Sequence, residues 1–173
     1  MNKNQIYQSF LKLGLKKNTL GKSLSFFYTK KNNYEPTIFN NKTIQFIKKM
    51  IDSKKWTKAF NNEINFRICL HKSLKDKYQE MIIVQDKSII TVPHKHKHGG
   101  ETLNLLYGRL NVILYNANGE IKKTYILDAR QPTIFRLPEN TFHSYKILSN
   151  YVIYLETKAG PYIRKSNFIL MKK

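Results

Sequence analysis

The apolar positions of this chain change their period near residue 64. Ahead of that point Ile44, Ile47, Met50 and Ile51 recur at three- and four-residue intervals, the spacing of one helical face. Asn40 or Asn41 is the candidate N-cap, so the pattern predicts a helix over 43–55. Lys48, Lys49, Lys54 and Lys55 fall on much of its other side. Further upstream the signal weakens. Ile6, Phe10, Leu11 and Leu13 suggest a short helix over 5–15, broken by Gly14 and Gly21. Residues 25–29 read as a short strand and 30–36 as a polar connector.

Beyond residue 64 the pattern is strand-like. The candidate strands are 65–70, 79–85, 88–93, 101–107, 109–116, 121–128, 132–137, 143–148 and 151–157. Gly99-Gly100, Asn118-Gly119, Pro138-Glu139-Asn140 and Ser149-Asn150 punctuate them. Many short strands with no helix between them predict an all-β sandwich or barrel. Along 109–116 both alternating sets are largely apolar, which suits a strand buried on both faces. Residues 168–171 can add an edge strand. The chain therefore divides into residues 1–39, a basic N-terminal arm or extension, and residues 40–173, a helix plus barrel domain.

Composition changes this picture in three ways. The net charge is +20, a balance that favours anionic partners. Residues 1–58 carry 13 lysines and 2 acids, so the charge is densest toward the N-terminus. The lysines of the helix expected over 43–55 are not interleaved with the arginines and aromatics of nucleic-acid readers, which argues against that class. There is no run of about 18 apolar residues, hence no expected membrane span. The first 20 residues are polar and lysine-rich, unlike a secretory leader. Cys69 is the single cysteine. It is read as a small buried hydrophobe rather than a nucleophile, and a chain without disulfides fits a cytoplasmic setting.

The chemistry concentrates in Pro93-His94-Lys95-His96-Lys97-His98-Gly99-Gly100-Glu101. Side chains of a strand alternate, so His94 and His96 share a side. On this reading the next strand runs antiparallel and brings Glu101 alongside, and His143 closes the set from a distant strand. Three imidazoles and one carboxylate suit Fe(II), Mn(II), Ni(II), Co(II) or Zn(II) better than Ca(II) or Mg(II). His98 shares the parity of His94 and His96. It can replace one ligand, or sit in the turn and meet solvent or substrate.

His94-x-His96, four further residues, Glu101, six further residues and Gly108 resemble the first motif of the cupins. Pro138-x-Asn140-x-x-His143 is similar to the second, with Asn140 where that family usually has glycine. Ser88, Pro132 and Ile147 also depart from the general pattern, at positions that supply no ligand. Asn65-x-Arg67-x-Cys69-Leu70-His71 and Glu156-x-Lys158-x-Gly160-Pro161-Tyr162, with the preceding helix, narrow the resemblance to the WbuC-type cupin fold metalloproteins, over about residues 40–163.

The resemblance implies a double-stranded β-helix, a jelly-roll barrel in the RmlC-like cupin superfamily, with metal ligands His94, His96, Glu101 and His143. It also implies surface-polysaccharide metabolism, such as lipopolysaccharide or O-antigen biosynthesis. The expected substrate is small and anionic or sugar-like, and a homodimer is expected because paired barrels are common among cupins. Arg67, Glu156 and His98 are the candidate substrate-binding residues, with Glu156 alternatively paired to an interior arginine such as Arg136. His71 and Tyr162 are the candidate proton movers of an isomerase or epimerase. An iron-dependent dioxygenase and a non-catalytic binder of a sugar or nucleotide-sugar are the alternatives.

Overall fold

The computed structural model describes residues 3–12, 15–20, 23–28, 39–53, 63–71, 73–162 and 169–171. The chain opens with α1 (Lys3–Lys12), β1 (Leu15–Leu20), β2 (Ser23–Tyr28) and α2 (Asn41–Asp52). Strands alone follow: β3 (Asn65–Cys69), β4 (Tyr78–Asp86), β5 (His94–Lys95), β6 (Glu101–Tyr107) and β7 (Arg109–Tyr115). Then come β8 (Ile121–Asp128), β9 (Ile134–Leu137), β10 (His143–Ile147), β11 (Tyr151–Ala159) and β12 (Ile169–Leu170). They form a seven-stranded sheet, ordered β1-β2-β3-β4-β11-β6-β9, and a five-stranded sheet, ordered β12-β5-β10-β7-β8. The β2–β3 pair is parallel and the other pairs are antiparallel.

The larger sheet is covered on both faces, and β4 shows why its sequence is apolar almost throughout. Ile82 and Val84 point to one side with Phe66, Ile68 and Ile153, where Ile6, Phe10, Ile47 and Met50 of the two helices cover them. Met81 and Ile83 point to the other side and meet Leu103, Leu105, Leu110 and Val112 between the sheets. Each such side chain contributes about 1.5–3 kcal/mol on burial. The helix expected over 43–55 is α2. Asn40 caps it by accepting from the backbone N–H groups of Lys42 and Thr43 at 3.0 and 3.3 Å. Its apolar stripe, Ile47, Met50 and Ile51, is buried as the spacing required; Lys54 and Lys55 lie outside the described residues.

Residues 1–39 contribute to this architecture. The helix expected over 5–15 is α1, and its Ile6 and Phe10 are fully buried. Phe10 meets Phe46 and Phe66 edge-on, with centroids 6.2 and 5.8 Å away. The short strand expected over 25–29 falls on β2 as far as Tyr28, Thr29 lying outside the described residues, and β2 pairs with β1 and, in parallel, with β3. Leu13 and the connector 30–36 lie outside the described residues.

Two strand expectations are corrected. Residues 88–93 form no strand: Asp86 accepts from the backbone N–H and hydroxyl of Ser88 and turns the chain, and Ile90 is left 87% exposed. Along β7 only Leu110 and Val112 are buried; the alternate set, including Ile113 and Tyr115, is half-buried, because among the described residues no helix covers the outer face of the smaller sheet as α1 and α2 cover the larger one. Gly108 turns β6 into β7 at φ +87°, and a Cβ there would lie 2.5 Å from Tyr151 O. Gly100 ahead of β6 lies so close to Leu137 O that no side chain fits. No helix among the described residues is long and apolar enough to cross a membrane.

Candidate metal centre

The turn at Asp86 and the short β5 decide where the histidines go. His94 sits in β5, directly opposite His143 of β10 in the smaller sheet. His96 follows two residues later, on the same side. The three rings converge, with centroids 4.3 Å apart for His94 and His143, 5.2 Å for His94 and His96, and 5.6 Å for His96 and His143. One nitrogen from each lies within 4.8 Å of the other two, so this cluster can hold a metal ion.

Glu101 arrives by a route different from the one expected. It does not come from a strand paired beside His94. β6 belongs to the facing sheet, where Glu101 pairs with Lys158 and Leu137. Its carboxylate therefore reaches the histidines across the space between the sheets. Oε1 lies 2.8 Å from His143 Nε2 and Oε2 lies 3.2 Å from His96 Nε2. Tyr145, two residues after His143, donates its hydroxyl hydrogen to Oε1. Burial by itself would raise the Glu101 pKa. The contacts with His143 and His96, and the charge of Lys158, outweigh burial and hold it well below the usual carboxylate range.

Two rings have their orientation fixed from behind. His94 Nδ1 lies 2.9 Å from Val92 O, and His143 Nδ1 lies 2.9 Å from Thr141 O. A carbonyl only accepts, so each Nδ1 carries a hydrogen, which leaves Nε2 as the nitrogen that a metal would take. For His143 that nitrogen is shut off from solvent and faces a carboxylate oxygen at 2.8 Å. A cation shared by the two groups, a proton or a metal ion, holds them together at that distance. Three imidazole nitrogens within 4.8 Å of one another and an adjacent carboxylate are a donor set that a divalent transition metal takes, so the residues present fit one. Burial first, and then the proximity of His143, lower the His94 pKa to about 4, leaving the imidazole in its ligating form at neutral pH.

His94, His96 and Glu101 line a cavity of about 470 Å³, which residues of β3, β4 and β11 also wall. Arg67, His71 and Glu156 line it, as expected. Glu156 is paired with Lys158 at 2.9 Å and not with Arg136, whose guanidinium is exposed and donates to Thr102 Oγ1. The reason is register: Arg136 stands opposite Thr102 on β6, whereas Lys158 is two residues along from Glu156 on the same face of β11. Burial lowers the His71 pKa, and its Nδ1 sits against the Glu80 backbone at 3.0 Å. Tyr162 stands 42% exposed at the rim, anchored by its backbone N–H to Leu74 O at 2.7 Å. His98 is exposed in the turn and outside the histidine cluster; it lines a small recess shared with Tyr162. Burial pushes the Cys69 thiol up to about 12, so it remains protonated.

The sequence reading missed Tyr145 and Lys158. Both were legible by parity, since His143-x-Tyr145 and Glu156-x-Lys158 each place a second polar side chain on a lumen-facing position. A further omission is Leu170: β12 pairs with β5, and Leu170 joins the cavity wall.

Comparison with known proteins bears on the fold. A family model described as a domain of unknown function, DUF6016, matches residues 65–127, which hold His94, His96 and Glu101 but not His143. A search of curated proteins gives no match. Among solved structures the chain is similar to the capsular polysaccharide assembling protein CapF from Staphylococcus aureus. The identity is 14% and the TM-score 0.50, over 57% of this chain and 28% of that one. It is also similar to an oxalate decarboxylase from Lactobacillus farciminis, at 16% identity and TM-score 0.45, over 56% of this chain and 27% of that one. A protein with a double-stranded β-helix domain from Klebsiella pneumoniae is similar at 15% identity and TM-score 0.48, over 63% of this chain and 85% of that one. The chain thus spans less than a third of the length of CapF. Its two facing sheets are those of a cupin-type double-stranded β-helix.

Proposed function

We propose that the protein is a metal-dependent enzyme acting on a small polar, sugar-derived metabolite, with His94, His96, His143 and Glu101 as the metal ligands. The observation that carries this reading is the convergence of His94, His96 and His143 on the Glu101 carboxylate, beside a cavity that His94, His96 and Glu101 line. When bound, a divalent ion supplies Lewis acidity toward a carbonyl or hydroxyl oxygen. The chain's own residues do the rest. Tyr145 holds Glu101 by its hydroxyl, so the carboxylate stays ionised and oriented. His71, kept neutral by burial, is the group in the cavity wall suited to take and return a proton. Tyr162 at the rim and Leu170 on the wall narrow access for water.

Isomerisation or epimerisation beside a carbonyl needs those parts: a polarised oxygen and one proton acceptor. The WbuC-type motif resemblance, and the name of CapF as a capsular polysaccharide assembling protein, support a place in bacterial surface-polysaccharide biosynthesis in the cytoplasm. The test is incubation of metal-reconstituted protein with hexoses, nucleotide-sugars and hydroxy acids in deuterated water. The expected result is deuterium incorporation at a carbon beside a carbonyl, without oxygen uptake, and its loss in His71→Gln. Oxygen uptake by the Fe(II)-loaded form would make the protein a dioxygenase instead. Binding of a sugar with neither signal would make it a non-catalytic binder.

A further inference from the structure

We propose that the cavity selects an acid: a polyhydroxylated metabolite whose polar end lies at the histidine cluster and whose carboxylate or phosphate pairs with Arg67 at the far end. The inference rests on the reading of His94, His96, Glu101 and His143 as the metal centre, and it adds the substrate class.

The charges lining the cavity are unevenly matched. Glu101 lies against His96 and His143, and Glu156 lies 2.9 Å from Lys158. Arg67 is partly buried and lines the same cavity, yet its side chain makes no hydrogen bond or ion pair with any other residue among those described. Its charge is felt at Cys69, Tyr154 and Lys158, all lining residues, which puts the guanidinium on the cavity side of β3. A guanidinium carries five donors in a planar fork, and a carboxylate or phosphate satisfies two of them at once. An exposed arginine gets this from water. One inside a cavity, with no protein acceptor, is matched by an anion that enters.

Sheet geometry sets the length of the ligand. Arg67 is on β3 and Glu101 on β6, with β4 and β11 between them. Three inter-strand steps of about 4.8 Å, and the four residues by which Glu101 is offset along the strands from the level of Arg67, separate their backbones by roughly 20 Å. Side chains reach inward from both ends, leaving a span of several bonded atoms. A two-carbon diacid is too short for it, whereas a six-carbon sugar acid or sugar phosphate is long enough, and a cavity of about 470 Å³ holds a ligand of that size. The Glu156–Lys158 pair lines the same cavity. Its charges already balance, so it offers acceptors and donors to hydroxyl groups and leaves the anion to Arg67.

The experiment is calorimetric titration of protein at measured metal content with glucose, glucuronate, gluconate and glucose 6-phosphate. Wild type, Arg67→Gln and Arg67→Lys are compared, after urea unfolding confirms that each variant folds. At least one acid should bind about tenfold or more tightly than glucose. That preference should vanish in Arg67→Gln and be partly kept in Arg67→Lys, which retains the charge but not the fork. Which acid binds tells carboxylate from phosphate. The inference is overturned if no acid binds wild type, if glucose binds as well as the acids, or if Arg67→Gln leaves the acid's affinity unchanged. Such an outcome with metal still bound leaves the metal centre standing; wild type without metal overturns the centre itself.

Discussion

His94 shows how a single position combines ligation and stability. Its folded pKa is about 4 against an ordinary 6.5, because burial excludes the charged form. Below pH 6.5 the unfolded chain takes up a proton that the folded metal-free protein refuses. The stability tied to this neutral imidazole is therefore complete above pH 6.5 and is lost as pH falls toward 4. Thermal melts of metal-free protein across that window should show a falling Tm, with a shallower fall in His94→Asn. An equal slope in both would remove His94 as the cause. Cys69 gives a second prediction at this scale. With its pKa near 12 and its side chain 1% exposed, it should resist a thiol reagent in the folded protein and react fully in urea. Rapid labelling of the native state would contradict that environment. His94 and His96 were legible as a pair in the sequence because side chains at alternate strand positions share a side; that Glu101 reaches them from the facing sheet was not. Arg67, His71 and Glu156 were legible as candidates, but which partner each would meet was not. That depends on cross-strand register, which put Lys158 rather than Arg136 beside Glu156.

At the scale of elements, alternation worked where one layer or two covered a strand. The predicted 101–107 and 121–128 match β6 and β8 in their bounds. It failed at 88–93, where Ile89, Ile90 and Val92 imitate a strand. Asp86 there spends both carboxylate oxygens on turning the chain, accepting from Ile64 N–H at 2.8 Å and from Ser88 N–H at 2.9 Å. Local propensity cannot anticipate a bond to a residue 22 positions away. The same turn, followed by β5, sets His94 opposite His143, so it belongs to the site as much as to the fold. The weakest sequence signal was α1, a short helix whose importance comes entirely from packing. Phe10→Ala should cost about 3–5 kcal/mol in urea unfolding, since the ring is fully buried against Phe46 and Phe66. A loss under about 0.5 kcal/mol, the size of an ordinary surface substitution, would mean that residues 1–39 are a detachable arm. At α2, Asn40→Ala should cost about 1 kcal/mol through two orphaned N–H groups.

At the scale of the whole molecule, two sheets face each other and divide the labour. The smaller sheet supplies the three histidines through β5, β10 and the turn after β5. The larger sheet supplies the carboxylate through β6 and the cationic wall through β3 and β11. Neither sheet holds the candidate site alone, so a bound metal would couple to the packing of the sheets. Bound metal should raise the Tm of wild type and leave His143→Ala unchanged. A net charge of +20 adds attraction for acidic metabolites over the whole surface. That attraction is screened by salt, whereas a bidentate contact inside the cavity is screened much less. The most direct test of the account is elemental analysis of wild type, His94→Ala and His143→Ala after reconstitution with a divalent transition metal and dialysis. The account predicts about one ion per wild-type chain and almost none in either variant. A wild type that emerges free of metal, or variants that keep it at full stoichiometry, would contradict it.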